Sequence, residues 1–179
     1  MLEQFNTDCE FVTDPQRSDE YDNSKNLIAQ IKSQTKFSKS MMNSKNVKWC
    51  IEKAEEFIMA AHFSPIKLRA QEAWYNRMVY PHEHNPQHIH PTAILTSVGY
   101  LKLPYNFAEA IKNNKVNGLS GGLEIFHGES SSFSYTQNTI VPGIGYYIIF
   151  GSTLRHAVYP MPDEVTEERR SFSINFVPK

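Results

Sequence analysis

The chain has 179 residues and a formal net charge of −1, a size at which one core buries roughly 70% of the unfolded surface, so neither disulfides nor a structural metal are needed to hold it together. Its 18 basic and 19 acidic residues are scattered in ones and twos rather than gathered into a stripe, which argues against nucleic-acid binding. Residues 1 to 10 carry three acidic side chains and no apolar run, unlike a secretory leader, and no stretch approaches the ~18 apolar residues of a membrane span, so a soluble cytoplasmic protein with no membrane partner is expected.

One domain is expected over residues 1–179, because nothing resembles a linker between two cores. Its first 66 residues form a helical preface rich in Ser, Asn, Lys and Gln. Leu27, Ile28 and Ile31 recur at helix spacing after Asp22, Asn23 and Ser24, which predicts a capped helix running to about Gln34. The polar tract from Ser33 to Lys45 reads as an exposed loop. A second helix is predicted over Val47 to Ala61, where Val47, Ile51, Ala54, Phe57, Ile58 and Ala61 make one apolar stripe suited to packing outside a sheet. Cys9 and Cys50 have neither metal-binding nor redox spacing and read as reduced thiols, with a disulfide between them left open.

From about Arg69 the chain changes to short aromatic and β-branched runs separated by Gly, Pro and Asn clusters. Strands are predicted over Gln71–Tyr80, Ala93–Leu103, Gly122–His127, Gly145–Phe150, His156–Tyr159 and Arg169–Val177. No helix-period segments alternate with them, so a mainly β jelly roll with N-terminal helices is expected, its core at residues 67–179.

Four of the seven histidines fall within nine residues, at 82, 84, 88 and 90. In an extended chain residues i and i+2 face the same way, so His88 and His90 can offer imidazole nitrogens to one metal, and His82 and His84 have the same spacing. Divalent iron in oxygenases is commonly held on one face by two histidines and a carboxylate, and the third group must come from another strand. His156, following the apolar run Gly145–Phe150 and a turn, is the best candidate. Neutral imidazoles suit Fe(II), Zn, Cu and Ni alike, so ligand type does not name the metal. His62 and His127, at the ends of a predicted helix and strand, read as structural.

The last strand alternates cleanly. Arg169, Ser171, Ser173 and Asn175 share one face, and Arg170, Phe172, Ile174 and Phe176 the other. An arginine beside serines on an inward face suits a buried dicarboxylate, since guanidinium grips a carboxylate through two parallel bonds; the competing reading is a charged pair opening an edge strand.

The string resembles the 2OG-Fe(II) oxygenases, a family related to the prolyl hydroxylases, through Trp74-Tyr75-Asn76, His88-Ile89-His90-Pro91, Gly99-Tyr100-Leu101, Gly122 to Phe126, Pro142 to Gly145, His156-Ala157-Val158 and Arg169 to Phe176. The resemblance does not cover the first 66 residues. It implies a double-stranded β-helix of the cupin-like, jelly-roll kind, with Fe(II) held by His88 and His156 and 2-oxoglutarate gripped at its far carboxylate by Arg169, aided by Ser171. It also implies oxygen as a partner, ascorbate as an accompanying reductant and hydroxylation of an unidentified prime substrate. Tyr100, Asn76 and Asn175 could line the pocket. The wider superfamily places Asp or Glu two residues after the first histidine, where this chain has His90; His90 is taken as the third ligand, with His84, Glu83 and Glu124 as alternatives. Two rival readings remain, a three-histidine cupin-type metal enzyme that does not use 2-oxoglutarate and a jelly-roll binding module without catalysis. Substrate choice is expected to lie in loops such as Pro104–Gly121 and Gly128–Val141.

Overall fold

The structure is a computed structural model that describes residues 1–24, 29–31, 33–62, 65–107, 109, 120–161 and 167–179. In chain order the elements are α1 (Leu2–Thr13), α2 (Ser18–Tyr21), β1 (Ser33–Lys36), α3 (Lys39–Met42), α4 (Lys45–His62), β2 (Leu68–Met78), β3 (Asn85–His88), β4 (Leu95–Lys102), β5 (Leu123–Phe126), β6 (Gln137–Ile140), β7 (Tyr147–Gly151), β8 (Arg155–Val158) and β9 (Arg169–Pro178). Two antiparallel sheets result, ordered β1-β2-β9-β4-β7 and β3-β8-β5-β6. From β2 onward the chain crosses between them at almost every step, which is the winding of a jelly roll. No described helix is long and apolar enough to cross a membrane.

The larger sheet has two chemically different faces. Phe172, Ile174 and Phe176 of β9 join Tyr75 of β2 in a core completed by Phe5, Cys9 and Val12 of α1 and Val47, Cys50, Ala54 and Ile58 of α4. Those helix positions fall at spacings of three and four residues, the stripe a helix needs to lie on a sheet. On α4 the stripe is rotated from the predicted one: Cys50 is fully buried, whereas Phe57 is 38% exposed. Phe172 stacks on Phe5 at 4.4 Å between ring centroids, and its ring also covers Gly99 of β4 so closely that a Cβ there would lie 2.2 Å from Cε1. The two cysteines are free and buried. Between the sheets lies a second core of Val98, Tyr100, Leu123, Ile125 and Phe150.

Polar contacts fasten the preface to the sheet. Asp8 of α1 accepts hydrogen bonds from the Ser38 hydroxyl and from Tyr75 Oη, the latter at 2.9 Å. Arg170 donates to Asn6, Glu10 and Glu168. Although burial opposes it, bonding from Arg170 and Arg77 pulls the Glu168 carboxyl down to about 2.

The predicted strands occur with boundaries shifted by a few residues, but residues 33–45 depart from expectation. Ser33–Lys36 pairs in register with Trp74–Arg77 as β1, so the predicted helix does not reach Gln34. Its residues 25–28, including Leu27 and Ile28, lie outside the described ones. Nor is 33–45 an exposed loop, because Gln34, Thr35, Phe37, Ser38 and Met41 are all buried. The polar ones find partners: Gln34 Nε2 donates to Asn76 Oδ1 at 2.8 Å, and Ser38 Oγ caps α3 by accepting from Met41 N.

Candidate metal centre

His88 closes β3 and faces His156 of β8 directly across the ladder. Two residues on, past the strand end, the His90 backbone donates to Ser152 O at 2.9 Å, and the Ser152 hydroxyl is itself bonded to Ala93 O. The turn after β7 thus holds the segment after β3 in place. Ring centroids of the three histidines lie 4.2, 5.0 and 5.1 Å apart, and one nitrogen from each falls within 4.8 Å of the others. Among the described residues this is the group able to hold a metal ion, and it contains no carboxylate.

Tautomers are set locally. His88 Nδ1 lies 2.8 Å from Pro86 O and His156 Nδ1 2.9 Å from Leu154 O. A carbonyl can only accept, so each Nδ1 carries the proton and each Nε2 keeps its lone pair for a ligand. Burial depresses the proton affinity of all three rings. His90 falls to about 3 through burial and then the neighbouring His156 and His88; His156 falls to about 4 through burial and His88, against the Leu154 carbonyl; and His88 is lowered by burial. Near neutral pH the rings are therefore uncharged, the form that binds metals. Phe150 packs against His156 at 4.9 Å and Trp74 against His90 at 5.6 Å.

The alternative ligands are engaged elsewhere. His84 Nδ1 meets His82 O at 3.0 Å. Glu83 accepts from the backbone N–H groups of Val79 and Tyr80, and Glu124 accepts from Tyr159 Oη and, weakly, Thr139. Both carboxylates are 1% exposed. His62 and His127 lie on the surface.

Behind the histidines a narrow cavity runs between the sheets, lined in part by Asn76, Thr96, Arg169, Ser171 and Ser173. Arg169 is 1% exposed, yet its Nε and Nη2 make no hydrogen bond of normal geometry; burial works against its charge, and the nearby Tyr100 hydroxyl supports it. Nη1 has only Met78 Sδ at 3.2 Å and Ser171 Oγ at 3.5 Å, and the guanidinium lies 5.1 Å from the Tyr100 ring centroid. A buried guanidinium normally has every N–H paired, so two open donors on a residue lining a cavity fit an anion there. Tyr100 Oη and Asn175 Oδ1 are likewise buried without partners. Of the residues expected here, Asn76, Arg169 and Ser171 line the cavity, and Tyr100 lies beside the guanidinium. Asn175 shares the β9 face farther along, beyond the lining. Thr96, Ser173 and Trp74 also line it; the inward alternation of β2, β4 and β9 is the signal that could have found them.

A wider groove of about 540 Å³ opens on the other side of His88 and His90. Trp74, Phe37 and Met42 supply its apolar wall, and Lys36, Glu72 and Gln71 its polar groups. The two spaces share Trp74, Asn85, His88 and His90 in their linings.

A family model described as "Putative 2OG-Fe(II) oxygenase" matches residues 72–175, from the middle of β2 to β9. No curated protein sequence matches the chain. Among solved structures, a Pseudomonas putida prolyl-4-hydroxylase superposes with a TM-score of 0.62 at 13% identity, covering 99% of this chain and 86% of that one. The viral collagen prolyl hydroxylase of Paramecium bursaria Chlorella virus-1, solved as a 2OG complex, gives 0.54 at 17% identity, covering 96% and 90%. A 2OG-Fe(II) oxygenase-family oxidoreductase from Burkholderia pseudomallei gives 0.47 at 16% identity; 68% of this chain aligns with 50% of that one, about half its length. At these identities the likeness is one of fold.

Proposed function

The chain belongs to the 2OG-Fe(II) oxygenase family, and we propose that it hydroxylates a C–H bond of a prime substrate seated in the wide groove, with Fe(II) on His88, His90 and His156 and 2-oxoglutarate reaching back to Arg169. The observation that carries this reading is the pair of open guanidinium donors in a cavity lined also by the three imidazoles. Iron and 2-oxoglutarate, when bound, supply oxidation of substrate by O2 coupled to decarboxylation to succinate and CO2.

The protein's own residues position and exclude. Arg169 offers Nε and Nη2 as a two-pronged donor to the far carboxylate, with Ser171 Oγ beside it; such charge-assisted pairs are roughly twice as strong as neutral hydrogen bonds. Tyr100 Oη adds a donor, while Leu123, Val98 and Met78 keep water from the anion. The Pro86 and Leu154 carbonyls hold His88 and His156 with Nε2 forward, and Trp74 braces His90. The substrate's entry is the wide groove, where Trp74 forms wall to both spaces.

We also take residues 1–179 as one catalytic unit, since α1 and α4 contribute to the core on which β9 is packed. Two unpaired thiols fit a reducing compartment such as the cytoplasm. Three neutral ligands are what a cupin-type enzyme without 2-oxoglutarate would also present; the inward Arg169 favours the dicarboxylate. The test is succinate release from 2-oxoglutarate with Fe(II) and ascorbate, across candidate substrates. His156→Ala should lose stoichiometric Fe(II), and retention of the metal by that variant would remove the third ligand from the proposal.

A further inference from the structure

We propose that His90 makes the metal and the dicarboxylate bind this site as a linked pair, each weak alone and each strongly raising the affinity for the other. The inference rests on the reading just given and concerns the charge this chain places around the metal.

Charge is what the centre lacks. The three rings are neutral, and the cavity behind them is lined by one charged side chain, Arg169, and by no carboxylate. The buried acids Glu83 and Glu124 are not among the residues that could hold the ion; their carboxylates accept from Val79 and Tyr80 N–H and from Tyr159 and Thr139. On the groove side the lining carries one charge of each sign, Lys36 and Glu72. A divalent ion at the histidines would therefore add two positive charges to a buried guanidinium, with no carboxylate in the lining of the cavity they share. Concentrating like charge away from water is costly, so the ion alone should be held weakly. A dianion reaching from the metal to Arg169 removes most of that cost. Because coupling between two binding events is reciprocal, the factor by which the dianion tightens the metal is also the factor by which the metal tightens the dianion.

His90 is where this is decided. It lies in both spaces, past the end of β3 and against Trp74, so a carboxylate at this one position would put a fixed negative charge beside the ion. The ion would then be partly neutralised before any ligand arrived, and the two affinities would depend on each other less. His90 is thus a residue that sets how metal loading responds to the dicarboxylate, apart from its place among the ligands.

The experiment is Co(II) titration of the metal-free full-length protein by calorimetry, with and without saturating 2-oxoglutarate, for the wild type, His90→Asp, His90→Glu and His156→Ala. In the wild type 2-oxoglutarate should tighten Co(II) binding at least tenfold. Both His90 variants should bind Co(II) more tightly than the wild type without 2-oxoglutarate and show several-fold less tightening on its addition. A wild-type factor below three overturns the proposal, as does a factor of wild-type size in either carboxylate variant, or loss of Co(II) binding in both. The underlying reading fails separately: it falls if the wild type binds no Co(II) under either condition, or if His156→Ala binds it as the wild type does.

Discussion

Replacing Arg169 with methionine should make the protein more stable and less able to bind its cosubstrate at the same time. The guanidinium is 1% exposed with Nε and Nη2 making no normal hydrogen bond, and its compensations are a sulfur contact at 3.2 Å and a long bond at 3.5 Å through Nη1, with the Tyr100 ring at 5.1 Å and its hydroxyl nearby. A cation–π contact recovers about 0.5–2 kcal/mol, whereas an ion held in protein without a full set of partners costs several kcal/mol. Exchanging such an ion for an apolar side chain of similar length should gain about 1–4 kcal/mol, which at roughly 2–4 °C per kcal/mol for a chain of this size means a rise of at least about 2 °C in Tm. The same substitution removes both prongs from the distal carboxylate, a loss of about 2–5 kcal/mol, or roughly 30-fold to several thousandfold in Kd. The assays are calorimetric unfolding of the metal-free protein and 2-oxoglutarate titration of the Co(II)-loaded protein. A variant that melts lower than the wild type yet keeps its 2-oxoglutarate affinity within threefold would refute the reasoning, since Arg169 would then be structural.

Arg170→Ala should do the reverse, costing about 3 kcal/mol in denaturant unfolding by stripping Glu168 of one of its guanidinium partners while leaving the 2-oxoglutarate Kd unchanged. Gly99→Ala should cost about 1–3 kcal/mol by the same assay, because the new Cβ would meet Phe172, whose ring is hemmed in by Phe5 and Tyr147. The metal-free protein should lose stability as pH falls below about 6.5. Its three histidines take up protons there in the unfolded chain, while His90 and His156 in the fold resist down to about 3 and about 4. Glu168 acts in the same direction only at lower pH, from the ordinary carboxylate range down to about 2, so thermal melts between pH 6.5 and 5 chiefly report the histidines. His90→Gln should flatten that slope, and an unchanged slope would show that burial of this ring is not its source.

What could be read from the chain, and what could not, divides along one physical line. Strands whose apolar residues pack are legible: β4 and β9, and α4 to within a small rotation, carry their periodicity in the sequence. Of the unread elements, α1 carries an apolar stripe of Phe5, Cys9 and Val12 that was passed over, and the unread strands are polar. Ser33-Gln34-Thr35-Lys36 and Asn85-Pro86-Gln87-His88 have no alternating apolar residues, and each is a strand because a distant partner, β2 or β8, completes its hydrogen bonds. Residues chosen for burial by long-range pairing look like exposed loop until the pairing is known. The spacing of His88 and His90 was readable although β3 was not, because an i, i+2 pair needs only an extended backbone.

The two adjacent arginines of β9 carry the argument one step further. Arg169 and Arg170 are 1% and 3% exposed, so burial does not tell them apart. Their partners do. Arg170 gives its Nε, Nη1 and Nη2 to Glu168, Asn6 and Glu10, groups drawn from its own strand's approach and from α1. Arg169, turned to the other face by the period of two, keeps two donors unused in the cavity that ends at the histidines. Evolution would gain stability by filling that face with an apolar residue, so a charge kept there fits the proposed binding of the dicarboxylate. The alternation of β9 assigns the arginines to opposite faces from sequence alone. Only the satisfied network around Arg170 and the unsatisfied one around Arg169 tell the two faces apart, and they are the ground for proposing Arg169 as the one that meets the ligand.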